Sequence, residues 1–203
     1  MKKYLFIIVL VTIVVASGCS NDNELKKSVF IEDSDYPDLP EYSEWGYNTF
    51  GAYYDREAFV SNDNEVPAKI IVTNNLTSFV LTGLEGAYSY YSSNNTKMSM
   101  TFKVSGFLPQ NYKQLIALND TTFDLRNSSY QVLVAIGTVT DTATILEGGL
   151  TFKRAQNLIV DTKQEEVILS GYFDFKALIN NEPITISNGR FDVGISSDNF
   201  YNY

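Results

Sequence analysis

With no histidine and a single cysteine, Cys19, this chain lacks the groups that activate most protein nucleophiles. Ser-His-Asp and Cys-His chemistry both need an imidazole base, and zinc, copper and haem sites draw on imidazole or thiolate. What remains is carboxylate, lysine and tyrosine chemistry, or calcium held by oxygens. Two carboxylates hydrolyse a glycosidic bond when they flank it at roughly 5 to 9.5 Å, and no spacing among the 24 acids singles out a pair. "DSDYPD", Asp33 to Asp38, alternates acids like a calcium loop but lacks the glycine and distal glutamate of an EF-hand. The expectation is a protein that is not an enzyme and holds no cofactor or metal, with a carboxylate-dependent glycoside hydrolase as the lesser alternative.

Residues suited to binding are easier to find. "EGAYSYYSSNN" places Tyr88, Tyr90 and Tyr91 beside a polar loop. A tyrosine ring offers apolar area plus a hydroxyl, which suits stacking on a sugar. Tyr88 and Tyr90 also share one face of a strand, so core packing is the competing reading. Arg190 and Asp192 stand two apart and project together, opposite Phe191 and Val193. A salt-bridged or solvated outer face accounts for them without any ligand.

Cys19 has a different use. Lys2 and Lys3 precede an apolar run, Tyr4 to Ala16, that falls short of the roughly twenty residues needed to span a bilayer. Positive start, short apolar run and small residues together read as a signal peptide, to be left out of fold reasoning. "ASGC", Ala16 to Cys19, resembles a bacterial lipobox. That resemblance implies cleavage before Cys19 and acylation of its thiol and new amine, so the membrane is engaged through the lipid anchor alone. One acyl chain binds only marginally at about 0.8 kcal/mol per CH₂, whereas two or three hold firmly. The "SNDNE" that follows resembles the acidic export tag of Bacteroidetes lipoproteins, which implies an outer-membrane protein facing the cell exterior. A plain solvated spacer is the other reading.

Composition narrows the partners. The net charge is −9, and loss of Lys2 and Lys3 with the leader makes the mature chain more negative. Binding nucleic acid needs clustered Lys and Arg to neutralise phosphates, and no such cluster occurs. A content of 44% hydrophobic and 14% aromatic residues supplies a full core, and the excess of Tyr and Phe suits strands.

Periodicity supplies the elements. In "TKMSMTFKVSG", Met98, Met100, Phe102 and Val104 alternate with Lys97, Ser99, Thr101 and Lys103, and "VILSGYFDFKA" repeats the pattern with Val167, Leu169, Gly171, Phe173 and Phe175. A period of two is a half-buried strand, because a helix would scatter those residues over both faces. "YQVLVAIGTVT" reads as a central strand, and further strands are expected over 48–54, 57–60, 68–73, 77–82, 86–91, 143–153 and 156–161. Asp55-Arg56, Asn74-Asn75, Ser93-Asn94-Asn95, Gly148-Gly149 and Asn180-Asn181 read as turns. Asn188-Gly189 is expected as a type I′ hairpin turn, with Ile186 facing Phe191 and Ile184 facing Val193. "LPQNYKQLIALND" is the one place for a short helix. The fold class is therefore all-β, an antiparallel β-sandwich or flattened barrel of about 8–10 strands with at most one short helix. The expected division is 1–18 signal peptide, 19–45 lipidated acidic tether and 46–203 one β domain, with sheet-edge pairing through Val29 to Ile31 as a variant.

"YNTFGAYYDREAFV", "LSGYFDFKA" and "ITISNGRFDVG" together resemble a family of Bacteroidetes surface lipoproteins of unknown function. In that family an N-T-F-G strand and an I-S-G-x-F-x-F … I-T-x-G-R-F-D segment bracket the domain, here over residues 47 to 195. Ser187 departs from the family's commoner T-D-G-R-F-D run. The resemblance implies fold and location and transfers no catalytic residue. Asp120-Thr121-Thr122 and Asp141-Thr142-Ala143 resemble the Bacteroidetes O-glycosylation motif, which implies glycans on Thr121 or Thr142. The functional expectation is a non-catalytic binding or accessory module for a glycan, host matrix or envelope partner, or else a structural subunit of a surface assembly.

Overall fold

Alternating apolar and polar residues become strands throughout the computed structural model, which describes residues 27–61, 66–85 and 96–203. Eleven strands follow one another: β1 (Thr49–Tyr54), β2 (Glu57–Val60), β3 (Ala68–Thr73), β4 (Leu76–Glu85), β5 (Lys97–Ser105), β6 (Thr121–Asp124), β7 (Tyr130–Ile136), β8 (Val139–Val160), β9 (Lys163–Ile179), β10 (Glu182–Ile195) and β11 (Phe200–Asn202). A 3₁₀ helix, Tyr112–Leu118, buries Leu115 and Leu118, and the Asn111 side chain accepts from the Lys113 N–H at its start. Leu115 and Leu118 sit three apart, the spacing that puts side chains on one face of a 3₁₀ turn. No helix among the described residues is long and apolar enough to cross a membrane.

The pairings run in a closed circuit: β1 to β2, β2 to β4, then β5, β7, β8, β9, β10 and back to β1. The all-β fold is thus a flattened barrel, with β3 on β4, β6 on β8, and β11 added parallel to β3. Among the described residues that last pairing is the one departure from an antiparallel sheet. Closure removes free edges from the eight strands of the circuit. Inside, phenylalanines interlock: Phe50 with Phe59 at 4.7 Å, Phe79 with Phe152 at 5.0 Å, Phe102 with Phe173 at 5.3 Å and Phe152 with Phe191 at 5.4 Å. Each such pair adds about 0.5–1.5 kcal/mol beyond its buried area. Among the described residues the apolar core lines a cavity of about 20 Å³, too small for a ligand.

Three local expectations are corrected. Asn188-Gly189 is not a hairpin turn, since β10 runs straight through it, paired with β9 on one side and β1 on the other. The reversal occurs at Asn180-Asn181, both at positive φ (54° and 65°). Between Ile186↔Phe175 and Gly189↔Phe173, two residues of β10 face one of β9, so Ser187 and Asn188 form a bulge, with Asn188 at φ 52°. Arg190 accordingly faces Tyr172, Phe191 faces Gly171 and Asp192 faces Ser170, rather than the earlier part of β10 itself. Asn-Gly favours positive φ, which a bulge uses as well as a turn does, and long strands on both edges decide for the ladder.

Gly148-Gly149 likewise lies within a strand. The two stretches 143–153 and 156–161 are one 22-residue β8, bent by bulges at Ile145/Glu147, Phe152/Arg154 and Leu158/Ile159. Gly148, at φ 126°, lets β8 come so close to β9 that a Cβ would stand 2.2 Å from the Asp174 carbonyl oxygen.

The third correction concerns the tether. From Lys27 onward it is a strap folded on the outside of the barrel. Glu32 bridges Pro40, Val29 donates its N–H to Tyr47, and Leu39 is 0% exposed against Ala58 and Val60 with Phe30 and Tyr53 around it. Burying Leu39 contributes about 1.5–3 kcal/mol, and the backbone hydrogen bonds of the strap add to it in offsetting the entropy lost on ordering the segment.

Candidate functional site

Two charged residues on the outer face of β10 fasten the strap. Asp192 is 1% exposed and Arg190 6% exposed, so of the two readings, salt-bridged or solvated, the face is covered and Arg190 is salt-bridged, to Asp33. The Asp192 carboxylate accepts from the N–H groups of Trp45 at 3.2 Å, Gly46 at 3.0 Å and Tyr47 at 3.0 Å, and from the hydroxyls of Ser43 and, at 2.8 Å, Ser170. Gly46, at φ 78°, supplies the backbone turn that aims three successive N–H groups at one anion. Arg190 forms a salt bridge with Asp33 through Nη1, which also reaches the Pro40 carbonyl at 3.5 Å, while Nε donates to the Asn188 carbonyl at 3.2 Å. Burial alone would raise the Asp33 pKa, but the Asp35 N–H and the Arg190 guanidinium outweigh it and hold it below 3.8.

Between the strap and the wall runs a groove of about 470 Å³, within the size range of small-molecule sites. The strap contributes Asp33, Tyr36 and Tyr42; β9 contributes Tyr172 and Asp174; the bulge of β10 contributes Ser187, Asn188 and Arg190. Tyr42 and Tyr172 stack at 4.2 Å with their planes 26° apart, and the Tyr36 ring lies 4.6 Å from the Arg190 guanidinium. Tyr172 keeps 41% of its surface open and Tyr36 38%. Burial, then the Glu44 carboxylate that accepts from its hydroxyl, pushes the Tyr42 pKa up. Burial also raises Tyr172. Both phenols therefore stay protonated near neutral pH and serve as stacking faces and donors. Asp33, kept ionised by Arg190, is not a general acid. The arrangement is suited to holding a ligand rather than to proton transfer.

Two other depressions, one beside Leu125 to Gln131 and one beside Asp55 to Glu57, have no stacked aromatic pair among the described residues. Among those residues no group of three or more Asp, Glu or Cys is placed to hold a metal ion.

Of the residues singled out in the sequence, Cys19, Tyr88, Tyr90 and Tyr91 lie outside the described residues. Thr121 opens β6 directly after Asp120, is half-buried and pairs with Phe152; Thr142 lies within β8, exposed and paired with Leu133. Neither belongs to the groove. The groove tyrosines were missed for two reasons. Tyr36 and Tyr42 sit in a segment without periodicity, whereas Tyr172 carried a usable signal: if Gly171, Phe173 and Phe175 point inward, Tyr172 and Asp174 must point outward. No protein-family model, no curated protein and no solved structure matches the chain.

Proposed function

We propose that the chain is a bacterial lipoprotein, cleaved before Cys19 and acylated there, held on the outer membrane facing the exterior, and acting as a non-catalytic binding module. The lipobox-like "ASGC" and the resemblance to Bacteroidetes surface lipoproteins support the location. The observation that carries the binding role is the stack of half-buried Tyr42 on exposed Tyr172, beside Asp174, Asn188 and Arg190. Among the described recesses, this outer groove is the one lined by a stacked aromatic pair. A glycan, host matrix or envelope partner is the ligand, and Thr142, being exposed, is the better of the two O-glycan acceptors.

A second reading, a subunit of a surface assembly, is favoured by β11. This short parallel strand ends the sheet, and Tyr201 and Tyr203 stack beside it at 6.3 Å with Tyr203 exposed. Such an edge invites a partner strand.

Palmitate labelling and protease shaving of intact cells test the location: wild type takes up label and is shaved, while Cys19→Ser takes up none. Label on Cys19→Ser, or wild type free in the medium, would overturn the anchor. A glycan and matrix-protein array probed with wild type and Tyr172→Ala tests the binding role. Binding lost in Tyr172→Ala supports the groove, and equal binding by both proteins refutes it.

A further inference from the structure

We infer that the groove takes a short neutral saccharide, one ring lying against the Tyr42 and Tyr172 pair with its oxygens on Arg190, Asn188 and Asp174. This rests on the binding reading above and names its ligand class. Three observations lead there. First, the aromatic wall is bordered by polar groups with spare valence. Arg190 Nη2, the Asp174 carboxylate, the Ser187 and Tyr172 hydroxyls and the Asn188 amide make no side-chain hydrogen bond within the described residues. Flat apolar area edged by both donors and acceptors matches a pyranose, which presents C–H faces and a rim of hydroxyls.

Second, the guanidinium is positioned before any ligand arrives. Nε and Nη1 are fixed by Asn188, Asp33 and Pro40, and Tyr36 covers one face, so Nη2 is left as a donor held in place on a residue that lines the groove, suited to an acceptor such as a hydroxyl or an acetamido carbonyl. Preorganised donors lower the ordering penalty of binding. Third, charge selects against acidic sugars. Asp33 neutralises Arg190, which leaves Asp174 as the uncompensated charge of the groove on a chain of net charge −9. A uronate would meet repulsion at that wall. A peptide fits less well, because β9 and β10 pair with neighbours on both sides and offer no free edge.

Calorimetric titration of the full chain in detergent micelles, with neutral cello-, manno- and chito-oligosaccharides and with oligogalacturonate, tests the class. A neutral series should bind, acidic oligomers should bind about tenfold more weakly or not at all, and Tyr172→Ala should lower affinity for the neutral ligand about tenfold. Asp174→Asn should raise affinity for oligogalacturonate, a change that a structural role for Asp174 would not produce. Tighter binding of oligogalacturonate than of any neutral series overturns the neutral class while leaving the groove as a binding site. No saccharide binding, with a protein cross-linked at position 172 on cells, overturns the saccharide and leaves a binding module. No saccharide binding and no cross-link overturns both.

Discussion

Replacing Asp192 with Asn removes the charge that holds the strap and nearly nothing else. In the wild type, one oxygen of Asp192 accepts from Ser43 and from the N–H groups of Trp45, Gly46 and Tyr47, and the other accepts from Ser170 and again from Gly46. An asparagine oxygen can occupy the first position, so those four bonds persist as neutral ones; the second Gly46 bond is lost, because the new amide is a donor there, and Ser170 can turn to accept from it. Bonds to a charged group contribute about 1.5–3 kcal/mol against about 1 for neutral pairs. Four weakened bonds therefore sum to roughly 3 kcal/mol, a large part of a typical 5–15 kcal/mol of domain stability. The loss falls on the strap. Hydrogen exchange at the Trp45, Gly46 and Tyr47 amides should accelerate roughly a hundredfold, since about 1.4 kcal/mol is tenfold. Amides of β9 and β10 beyond the site, such as Phe175, should keep their protection. Acceleration below threefold at all three strap amides would refute the clamp, and equal acceleration in β9 would show that Asp192 stabilises the barrel rather than the strap.

Gly189→Ala places a Cβ 2.4 Å from the Phe173 carbonyl oxygen and 2.5 Å from its ring; overpacking of this kind costs about 1–3 kcal/mol, read as a lower urea midpoint, and an unchanged midpoint would deny the close approach at the bulge. Phe173→Ala, which empties a position between Phe50 and Phe102, should lose about 3–5 kcal/mol in the same assay. The pH dependence of the strap follows from Asp33. Its folded pKa is depressed below 3.8, so its ion pair contributes fully above that value and is lost as pH falls through the lowered one. Protease resistance of the strap should therefore be flat from about pH 8 to pH 5 and fall only in stronger acid; release near pH 6 would contradict the pairing.

Period-two alternation made the strands legible, and the paired positive-φ residues Asn74-Asn75 and Asn180-Asn181 are turns in the structure as the sequence implies. Where reading failed, the deciding partner was far along the chain. Asn188-Gly189 has a local preference for reversal, but β9 and β1 flank it and hold it in the ladder as a bulge. Gly148-Gly149 reads as punctuation until β9 is laid against it. Asp33 looks like one more solvated acid in a run of acids, and its partner Arg190 is 157 residues away. The strap has no periodicity because it contacts the barrel through single side chains rather than through one continuous face. Tyr172 was within reach, since the alternation that fixes Phe173 inward also fixes its neighbour outward. The groove needed all three of these distant pieces together, and no local pattern encodes that.

The central claim is that strap and barrel wall build one ligand site between them. Two-dimensional NMR of the isotope-labelled full chain, titrated with a neutral oligosaccharide, addresses it directly. The account predicts shifts that saturate together at Tyr36 and Tyr42 on the strap and at Tyr172 and Asn188 on the wall. Shifts confined to one side, or gathered elsewhere on the barrel, would contradict it.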